Sequence, residues 1–396
     1  MNLAVIAVGY NRPKSLSRLL SSLHQAYYDG LETTLIISLD QSYNKEVEDV
    51  ANNYAWPFGK KRVVLHPKRI GLRNHILGCG NYTQEFDAVI VLEDDLYVSP
   101  LFMRFARQAL KKYDGDPQIS GISLYSHLWN VHVARPFAPA EDGTDVYFLQ
   151  FAQSWGQVWS RRMWDEFYQW YLRQKGNVAN WGDIPAYVKN WPESSWLKHQ
   201  IAFLIENKRH FVYPRVSLTT NFGEPGQHVA SLDSTFQVPL LFGKKEEFSF
   251  PDFKTSTVKY DAFFERAGLA QHLGIKEGDL CTDLYGAKGN SSGKRYWLTM
   301  NHCKFARVKS FGLLMRPQEI NIILSIPGDD LFVYDTTRVA DNVFGRLSPP
   351  IKQVLYDIKS ITRNNLMMIT AHHLKLTLKR MLYCLCSKAS RNQIFN

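Results

Sequence analysis

Several features that would place a chain in a membrane or nucleic-acid-binding class are missing from this sequence. No apolar run approaches the roughly 18 residues of a membrane-spanning helix. No basic run has the length of a nucleic-acid-binding arm, so we expect no nucleic-acid partner. The first residues run straight into a strand-like segment that Arg12 interrupts, which is not the pattern of a secretory signal.

Cysteine is also scarce. The five cysteines are an odd number, and their spacing fits neither a zinc-ligand set nor a disulfide framework. A reducing compartment fits this pattern best. We therefore expect a cytoplasmic protein.

The composition is that of a globular protein with anionic partners. The 396 residues are 45% hydrophobic and 21% charged, which allows two domains and a large core. The formal net charge is +10, which favours partners such as nucleotide diphosphates or acidic lipids. Aromatic residues make up 13%, a content that suits either sugar stacking or ordinary core packing.

One stretch organises the chemistry of the chain. The apolar run from Ala88 to Leu92 predicts a strand buried on both faces, and Glu93-Asp94-Asp95 follow it directly. Three adjacent carboxylates repel one another, so a site that keeps them usually holds a cation, and oxygen ligands favour Mg²⁺ or Mn²⁺. The alternative is a solvated acidic turn after a core strand.

Strand-like and helix-like patterns alternate along the first hundred residues, which predicts an α/β fold with a mostly parallel sheet. Leucines 16, 19, 20 and 23 form one helical face after Pro13, a residue suited to the first position of a helix. The predicted strands are Leu3 to Val8, Thr34 to Leu39, Arg62 to Leu65 and Ala88 to Leu92.

Distinctive polar residues follow these strands. Arg12 follows the first, Asp40 the second and the acidic triplet the fourth, while Arg73 lies in a basic loop after the third. Ligands bind at the carboxyl edge of such sheets, where arginine pairs with phosphate and aspartate accepts from a base or ribose. Asp40 alone has a second interpretation as a helix cap. Together these residues favour a nucleotide-diphosphate and metal site.

The order of motifs resembles the GT-A glycosyltransferases of the family-2 type, and more closely the inverting N-acetylglucosaminyltransferase I type. The resemblance covers roughly residues 1 to 235. It implies a Rossmann-like mixed, mostly parallel sheet flanked by helices. The motifs that carry it are Val8 to Pro13, Ser38 to Asp40, Val91 to Leu96 followed by Pro100, Ser154 to Gly156, Trp196, and Asn221 to Gly223.

The resemblance assigns roles to several of these residues. Asp95 would bind the metal, and Glu93 and Asp94 would contact the nucleotide sugar. Asp40 would contact uracil, and Arg12 would lie beside the nucleotide.

Two further motifs extend this site. The resemblance places Trp155 and Gly156 beside the donor sugar and the acceptor, with a core tryptophan as the alternative for Trp155. His228 matches a histidine that relatives carry near the metal or diphosphate, although a lone histidine in a loop is also an ordinary surface residue.

The catalytic base departs from the resembled family. An inverting transferase needs a carboxylate that takes the proton of the acceptor hydroxyl. Relatives carry an aspartate just after the tryptophan matched by Trp196, where this chain has Leu197. Glu193 is the nearest replacement and is expected in the first turn of the helix. Asp183 and His199 are weaker candidates.

We expect three regions: a GT-A domain over residues 1–240, an accessory α+β region over 241–360, and a basic amphipathic tail over 361–396. In the accessory region, 261–273 is expected to be helical, while 295–299, 310–315 and 320–326 are expected to be strands. Apolar and basic residues at helical spacing in the tail suit an anionic membrane surface. Docking on the protein itself is the alternative.

The sequence therefore predicts a metal-dependent inverting glycosyltransferase of glycan or polysaccharide assembly. The donor would be a nucleotide sugar, UDP-linked, and the acceptor a saccharide or lipid-linked saccharide. The expected location is the cytoplasm, peripheral to the inner face of the cell membrane. One alternative is a sugar nucleotidyltransferase. It would need a glycine-rich phosphate loop after the first strand, and Gly9-Tyr10-Asn11-Arg12 is too poor in glycine. The other is a non-catalytic saccharide-binding or scaffold protein, which Leu197 favours.

Overall fold

The computed structural model describes residues 1–174, 184–224, 234–358, 362–371, 374–375 and 377. The chain divides into two compact units, residues 1–344 and 345–396. None of the helices in these described ranges is long and apolar enough to cross a membrane.

Strands and helices alternate through the amino-terminal part of the first unit. The strands are β1 Leu3–Gly9, β2 Thr34–Leu39, β3 Lys61–Leu65, β4 Ala88–Glu93, β5 Leu96–Val98, β6 Ile119–Ser123, β7 Trp129–Asn130, β8 Arg135–Pro136, β9 Val146–Leu149, β10 Gln157–Ser160, β11 His210–Pro214, β12 Thr219–Asn221, β13 Lys259–Tyr260, β14 Leu280–Asp283, β15 Tyr296–Thr299, β16 Phe305–Phe311 and β17 Leu331–Val339. The helices are α1 Pro13–His24, α2 Lys45–Asn53, α3 Gly71–Gly80, α4 Phe102–Tyr113, α5 Arg161–Gln174, α6 Ala186–Lys189, α7 Trp196–Glu206, α8 Leu269–Leu273, α9 Ile320–Ile323 and α10 Pro349–Asp357.

A nine-stranded sheet forms the centre of the first unit, in the order β13-β9-β11-β6-β10-β4-β1-β2-β3. The strands β4, β1, β2 and β3 run parallel, whereas β10 is antiparallel to both of its neighbours. Five of the eight pairings within this sheet are parallel. The predicted α/β fold with a mixed, mostly parallel sheet is confirmed.

The predicted hydrophobic faces account for the core. Every residue of β1 is buried, and β4 is buried up to Leu92. The helix α1 begins at Pro13 and buries its four leucines against the sheet. Burying one such side chain contributes about 1.5–3 kcal/mol, so the apolar spacing specifies which face of α1 packs inward.

The register of the parallel strands brings their polar ends together. Val8 pairs with Ser38 on one side and with Glu93 on the other. The residues that follow β1, β2 and β4 therefore lie at one edge of the sheet. Beyond the acidic triplet, β5 pairs antiparallel with β12.

Residues after 240 contribute to two sheets. β13 extends the edge of the large sheet, and β14, β15, β17 and β16 form a second sheet of four strands. The predicted strands at 295–299 and 310–315 correspond to β15 and, shifted toward the amino terminus, to β16. The region boundaries at 240 and 360 stay predictions.

Two expectations for this part were wrong. Residues 320–326 begin with the helix α9, because the buried Asn321 side chain accepts from the backbone N–H groups of Leu314 and Met315 and holds a tight turn. A short apolar run does not distinguish a strand from a buried helix. Only Leu269–Leu273 of the stretch 261–273 is helical, because Gly268 with a φ of 83° precedes it.

The second unit contains α10 and a helical stretch over residues 363–371. No residue of α10 is buried, and residues 362–371 are all exposed. The predicted tail helix continues into residues 378–388, which lie outside the described residues.

Candidate functional site

A cleft of about 1330 Å³ opens at the carboxyl edge of β1, β2 and β4. Its wall also includes the start of α3 and the turn before α7. The predicted site residues that line it are Arg12, Asp40, Arg73, Glu93, Asp94, Asp95, Trp155 and Glu193. Residues far apart in the sequence are therefore gathered at the predicted edge.

Arg12 ties the end of β1 to the end of β4. Its Nη2 atom donates to Asp94 Oδ1 and lies 3.4 Å from Asp95 Oδ2. The Arg12 side chain is about one-quarter exposed, so the guanidinium remains open to the cleft. A phosphate that entered here would meet a cation already held by carboxylates.

The two carboxyls before Asp95 both have raised pKa values. Burial, with repulsion from Asp95 and Asp94, raises the pKa of Glu93 to about 8. Burial also raises the pKa of Asp94 to about 6, although the neighbouring Arg12 opposes that rise. Such a cluster gains stability when positive charge enters it.

Asp95 fits the role of a metal ligand. Its Oδ1 atom is buried and has no hydrogen-bond partner, and a divalent cation would satisfy such an oxygen. No set of three His, Cys, Asp or Glu residues with metal-binding geometry occurs among residues 1–174, 184–224 and 234–358. His228, the other predicted ligand, lies outside the described residues. From the described part of the chain Asp95 is thus the ligand that fits, with diphosphate oxygens and water to complete the shell.

Asp40 holds the basic loop in place. Its Oδ1 atom accepts from the backbone N–H groups of Gln41 at 2.9 Å and Ile70 at 2.8 Å, and its Oδ2 atom accepts from Gly71 at 2.9 Å. A carboxylate oxygen has two lone pairs, so Oδ2 keeps one for a ligand donor. Asp40 therefore caps α3 and still lines the cleft.

The loop that Asp40 holds places Arg73 in the first turn of α3. Gly71 begins the helix with a φ of 77°, a conformation that glycine adopts without strain. Arg73 Nε is buried and has no hydrogen-bond partner. Arg73 also lines the cleft, where an arginine is able to pair with a phosphate.

Trp155 and Gly156 have different positions. The ring of Trp155 lines the cleft and packs against Phe236, with ring centroids 5.0 Å apart. Gly156 does not line the cleft. Its φ is 96°, and a Cβ atom there would lie 3.0 Å from Thr219 Cγ2, so glycine permits close packing beneath the cleft wall.

The environment of Glu193 lowers its basicity. The side chain is 68% exposed and lies 3.0 Å from the buried Lys198 Nζ, whose hydrogen bond lowers the pKa of Glu193. Ser195 caps α7 by accepting from Lys198 N, so Glu193 precedes the helix and the expectation of a first-turn position was wrong. Leu197, at the position of the expected base, lines the cleft.

The other base candidates add little. Burial, with Arg73 nearby, lowers the pKa of His199 to about 4, and its ring packs against Tyr171 at 5.1 Å. His199 does not line the cleft. Asp183 lies outside the described residues.

Sequence reasoning missed part of the cleft wall. His127, Val131, Phe151, Tyr187 and Trp191 line it and form what we call the aromatic arm. Tyr187 belongs to α6 and the other four to loops. Phe151 begins the aromatic segment that contains Trp155 and Gly156, whereas His127, Val131, Tyr187 and Trp191 match no motif. The high aromatic content was a signal of such a surface, but it did not locate it.

Fold and site together define a class. A mixed, mostly parallel sheet carries an arginine, an aspartate and an acidic triplet at the carboxyl ends of its strands. This arrangement is the one that the resemblance to GT-A glycosyltransferases implies.

A comparison with curated proteins gives a relative in that class. The chain is 30% identical over 161 residues to alpha-1,3-mannosyl-glycoprotein 2-beta-N-acetylglucosaminyltransferase of Arabidopsis thaliana. The match covers 40% of this chain and only 30% of the relative's length. The predicted resemblance to the N-acetylglucosaminyltransferase I type is confirmed. No family model matches the chain.

Similar solved structures include two that were determined in complex with a nucleotide sugar. Residues 1–349 of S. aureus TarS in complex with UDP-GlcNAc give a TM-score of 0.38 at 14% identity, covering 58% of this chain and 61% of that one. A mannosyltransferase from Pyrobaculum calidifontis, in complex with GDP-Man and Mn²⁺, gives a TM-score of 0.37 at 11% identity, covering 57% and 59%.

Proposed function

We propose that this chain is a metal-dependent glycosyltransferase that moves a sugar from a nucleoside diphosphate, UDP, to a saccharide hydroxyl. The observation that carries the proposal is Asp95, with a buried, unpaired carboxylate oxygen at a sheet edge beside Arg12. The similarity to an N-acetylglucosaminyltransferase supports it.

The nucleotide half of the reaction uses the strand ends. Arg12 and Arg73 bind the phosphates, and the remaining Asp40 Oδ2 lone pair accepts from the nucleoside. Asp95 holds Mn²⁺ or Mg²⁺. When bound, that cation supplies positive charge that stabilises the departing diphosphate.

The acceptor half needs a proton acceptor if the reaction inverts the sugar. Glu193 takes that role in our proposal because it is the carboxylate that lines the cleft beside Leu197. The Lys198 pair makes it a weak base, so orientation of the acceptor must contribute much of the rate.

The second candidate is a non-catalytic saccharide-binding protein. Leu197 and the pairing of the exposed Glu193 with the buried Lys198 favour it, because neither places a strong base over the cleft. It shares the donor site and the fold, so only turnover separates the two candidates.

Thermal unfolding with a panel of nucleotide sugars tests the proposal. UDP-N-acetylglucosamine comes first because the relative is named for that sugar. Ligand at 100 times its dissociation constant should add about 2.7 kcal/mol of stability, and only when Mn²⁺ or Mg²⁺ is present. Stabilisation followed by transfer to a saccharide supports the transferase. Stabilisation without transfer to any acceptor supports the binding protein, and no stabilisation by any nucleotide sugar rejects both.

We also propose that the second unit lies on an anionic membrane surface at the cytoplasmic face. Residues 345–396 contain nine of the 47 Lys and Arg residues and one of the 37 Asp and Glu residues, so their formal charge is +8. Residues 1–344 account for the remaining +2. The exposed side chains of Leu366, Met367, Met368 and Ile369 supply apolar surface beside this charge.

Liposome sedimentation tests this second proposal. The full chain should sediment with vesicles that contain phosphatidylserine and should be released by salt, because about 1 kcal/mol per basic residue is available near such a surface. A chain that ends at residue 361 should sediment much less. Equal sedimentation of the two chains would reject the proposal.

A further inference from the structure

His127 is a buried histidine with unpaired nitrogens in the wall of the cleft. Its side chain is 1% exposed, and neither Nδ1 nor Nε2 has a hydrogen-bond partner. Leaving such a group unsatisfied costs about 1–3 kcal/mol. His132, five residues along, differs because its ring nitrogen Nε2 lies 2.7 Å from Ala262 O.

The surroundings of His127 keep its ring neutral. Aromatic rings pack around it, with centroids 5.2 Å away for Tyr125 and 5.4 Å away for Tyr213. Burial, with His132 nearby, lowers the pKa of His127 to about 3. A neutral imidazole has one N–H donor and one acceptor, and a hydroxyl group is able to pair with either.

A line of rings leads from His127 to the cleft mouth. Its centroid is 5.8 Å from that of Phe151, Phe151 is 6.4 Å from Trp191, and Trp191 is 5.5 Å from Tyr187. Exposure rises along this line to 42% at Tyr187. Aromatic faces contact the C–H surface of a sugar. The five residues of the aromatic arm include no charged side chain.

The position of the arm suits the acceptor side of the reaction. Glu193 follows Trp191 by two residues and lines the same cleft, whereas Arg12 follows β1 and the acidic triplet lies at the end of β4. A sugar ring in the arm therefore lies on the side of the proposed base.

We propose that the aromatic arm is the acceptor subsite, that its ligand is a neutral saccharide, and that His127 hydrogen-bonds one sugar hydroxyl. This inference rests on the proposed transferase function, because it assigns the acceptor half of the same cleft.

The test uses the full chain and three methyl glycosides as probes: those of glucose, galactose and mannose. Saturation-transfer NMR measures glycoside binding, and calorimetry measures UDP binding with Mn²⁺. His127→Phe keeps the ring and its packing but removes both nitrogens, so affinity for the bound glycoside should fall about 3- to 10-fold. UDP affinity should not change.

Tyr187→Ala provides a second variant, at a residue that is 42% exposed and that the fold should tolerate losing. It should weaken glycoside binding by a similar factor through lost ring contact. Leu172→Ala, at a residue that is 51% exposed and does not line the cleft, is the matched control and should leave the affinity unchanged.

The outcomes separate this inference from the transferase proposal. Binding of no glycoside, or equal glycoside binding by His127→Phe, Tyr187→Ala and wild type, overturns the subsite even if UDP-sugar is turned over. Glycoside binding that the two variants weaken supports the subsite, even if no nucleotide sugar binds and the transferase proposal fails.

Discussion

The two halves of the cleft are built from different chemistry and different parts of the fold. The charged half comes from the ends of β1, β2 and β4, where Arg12, Asp40 and Asp95 follow buried strands within three residues. The aromatic half comes from loops and the short helix α6 between residues 127 and 191, and its histidine His127 is neutral.

In the proposed reaction, this difference assigns separate ligands to the two halves of the cleft. Ionic contacts recognise the charge of a ligand more than its shape. The strand-end residues therefore suit a diphosphate, which is the same whichever sugar it carries. Aromatic faces with a few hydrogen-bonding groups, such as the His127 ring, select a shape and a hydroxyl position. Changes in one half should therefore leave binding to the other half intact.

The largest expected effect comes from removing the proposed metal ligand, Asp95, in the charged half of the cleft. Asp95→Asn removes the anionic ligand, so the Mn²⁺-dependent part of UDP binding should disappear while the fold and glycoside binding persist. Calorimetry with and without Mn²⁺ measures this change. Asp49→Asn, which alters an exposed carboxylate of α2, is the control. Unchanged Mn²⁺-dependent UDP binding in Asp95→Asn would make the metal assignment wrong.

The next effect concerns Glu193, the proposed base. Glu193→Gln should lower the turnover rate by about 10²–10⁴-fold and leave UDP affinity nearly unchanged. The pKa of Glu193 is lowered by Lys198, so activity should persist to acidic pH, below the ordinary glutamate pKa of about 4.3.

Lys198→Met sharpens this prediction because it removes the partner that lowers the pKa. The acid limb of the pH–rate profile should then move to higher pH. Full turnover by Glu193→Gln would exclude Glu193 and direct attention to Asp183 or His199.

A smaller effect is expected on UDP affinity when a side chain of the charged half is changed, as His127 is changed in the aromatic half. Arg73→Gln should weaken UDP binding about 10- to 100-fold, since a hydrogen bond to a charged group contributes about 1.5–3 kcal/mol. Glycoside binding should remain as in wild type, measured by the same NMR titration. A loss of both affinities would show that the two halves are coupled.

The smallest effect concerns stability on the charged side. Glu224 accepts from both Arg18 Nη atoms and from Ser15 Oγ at 2.7–2.8 Å, and the Arg18 hydrogen bonds lower its pKa to about 2. The pair is about one-third exposed, so Glu224→Gln should cost no more than about 1 kcal/mol at pH 7.

The sign of its pH dependence follows from the lowered pKa. The contribution is fully present above the unfolded pKa of about 4.3 and is lost as pH falls toward 2. Urea unfolding at pH 7 and pH 3 should therefore show a smaller difference between the proteins at pH 3. A difference that grows on acidification would contradict the ion-pair account.

Much of the parallel half was predictable from local patterns. The strands at Leu3, Thr34 and Ala88 and the helix at Pro13 follow from apolar runs and from one proline, all short-range signals. The structure of 320–326 was not predictable in this way, because a short apolar run is compatible with either a strand or a buried helix. The hydrogen bonds of the Asn321 side chain, which stabilise a turn there, depend on the tertiary structure.

The sequence by itself determined the charged half. Parallel strands in register end at one edge, so a residue that follows a strand has a known place as soon as the strand is recognised. Only the tertiary structure decided the aromatic half and the state of the base. His127 is neutral because rings from distant segments surround it, and Glu193 is a weak base because α7 brings the Lys198 ammonium to it. Burial and pairing are properties of the packed chain, and they set both protonation states.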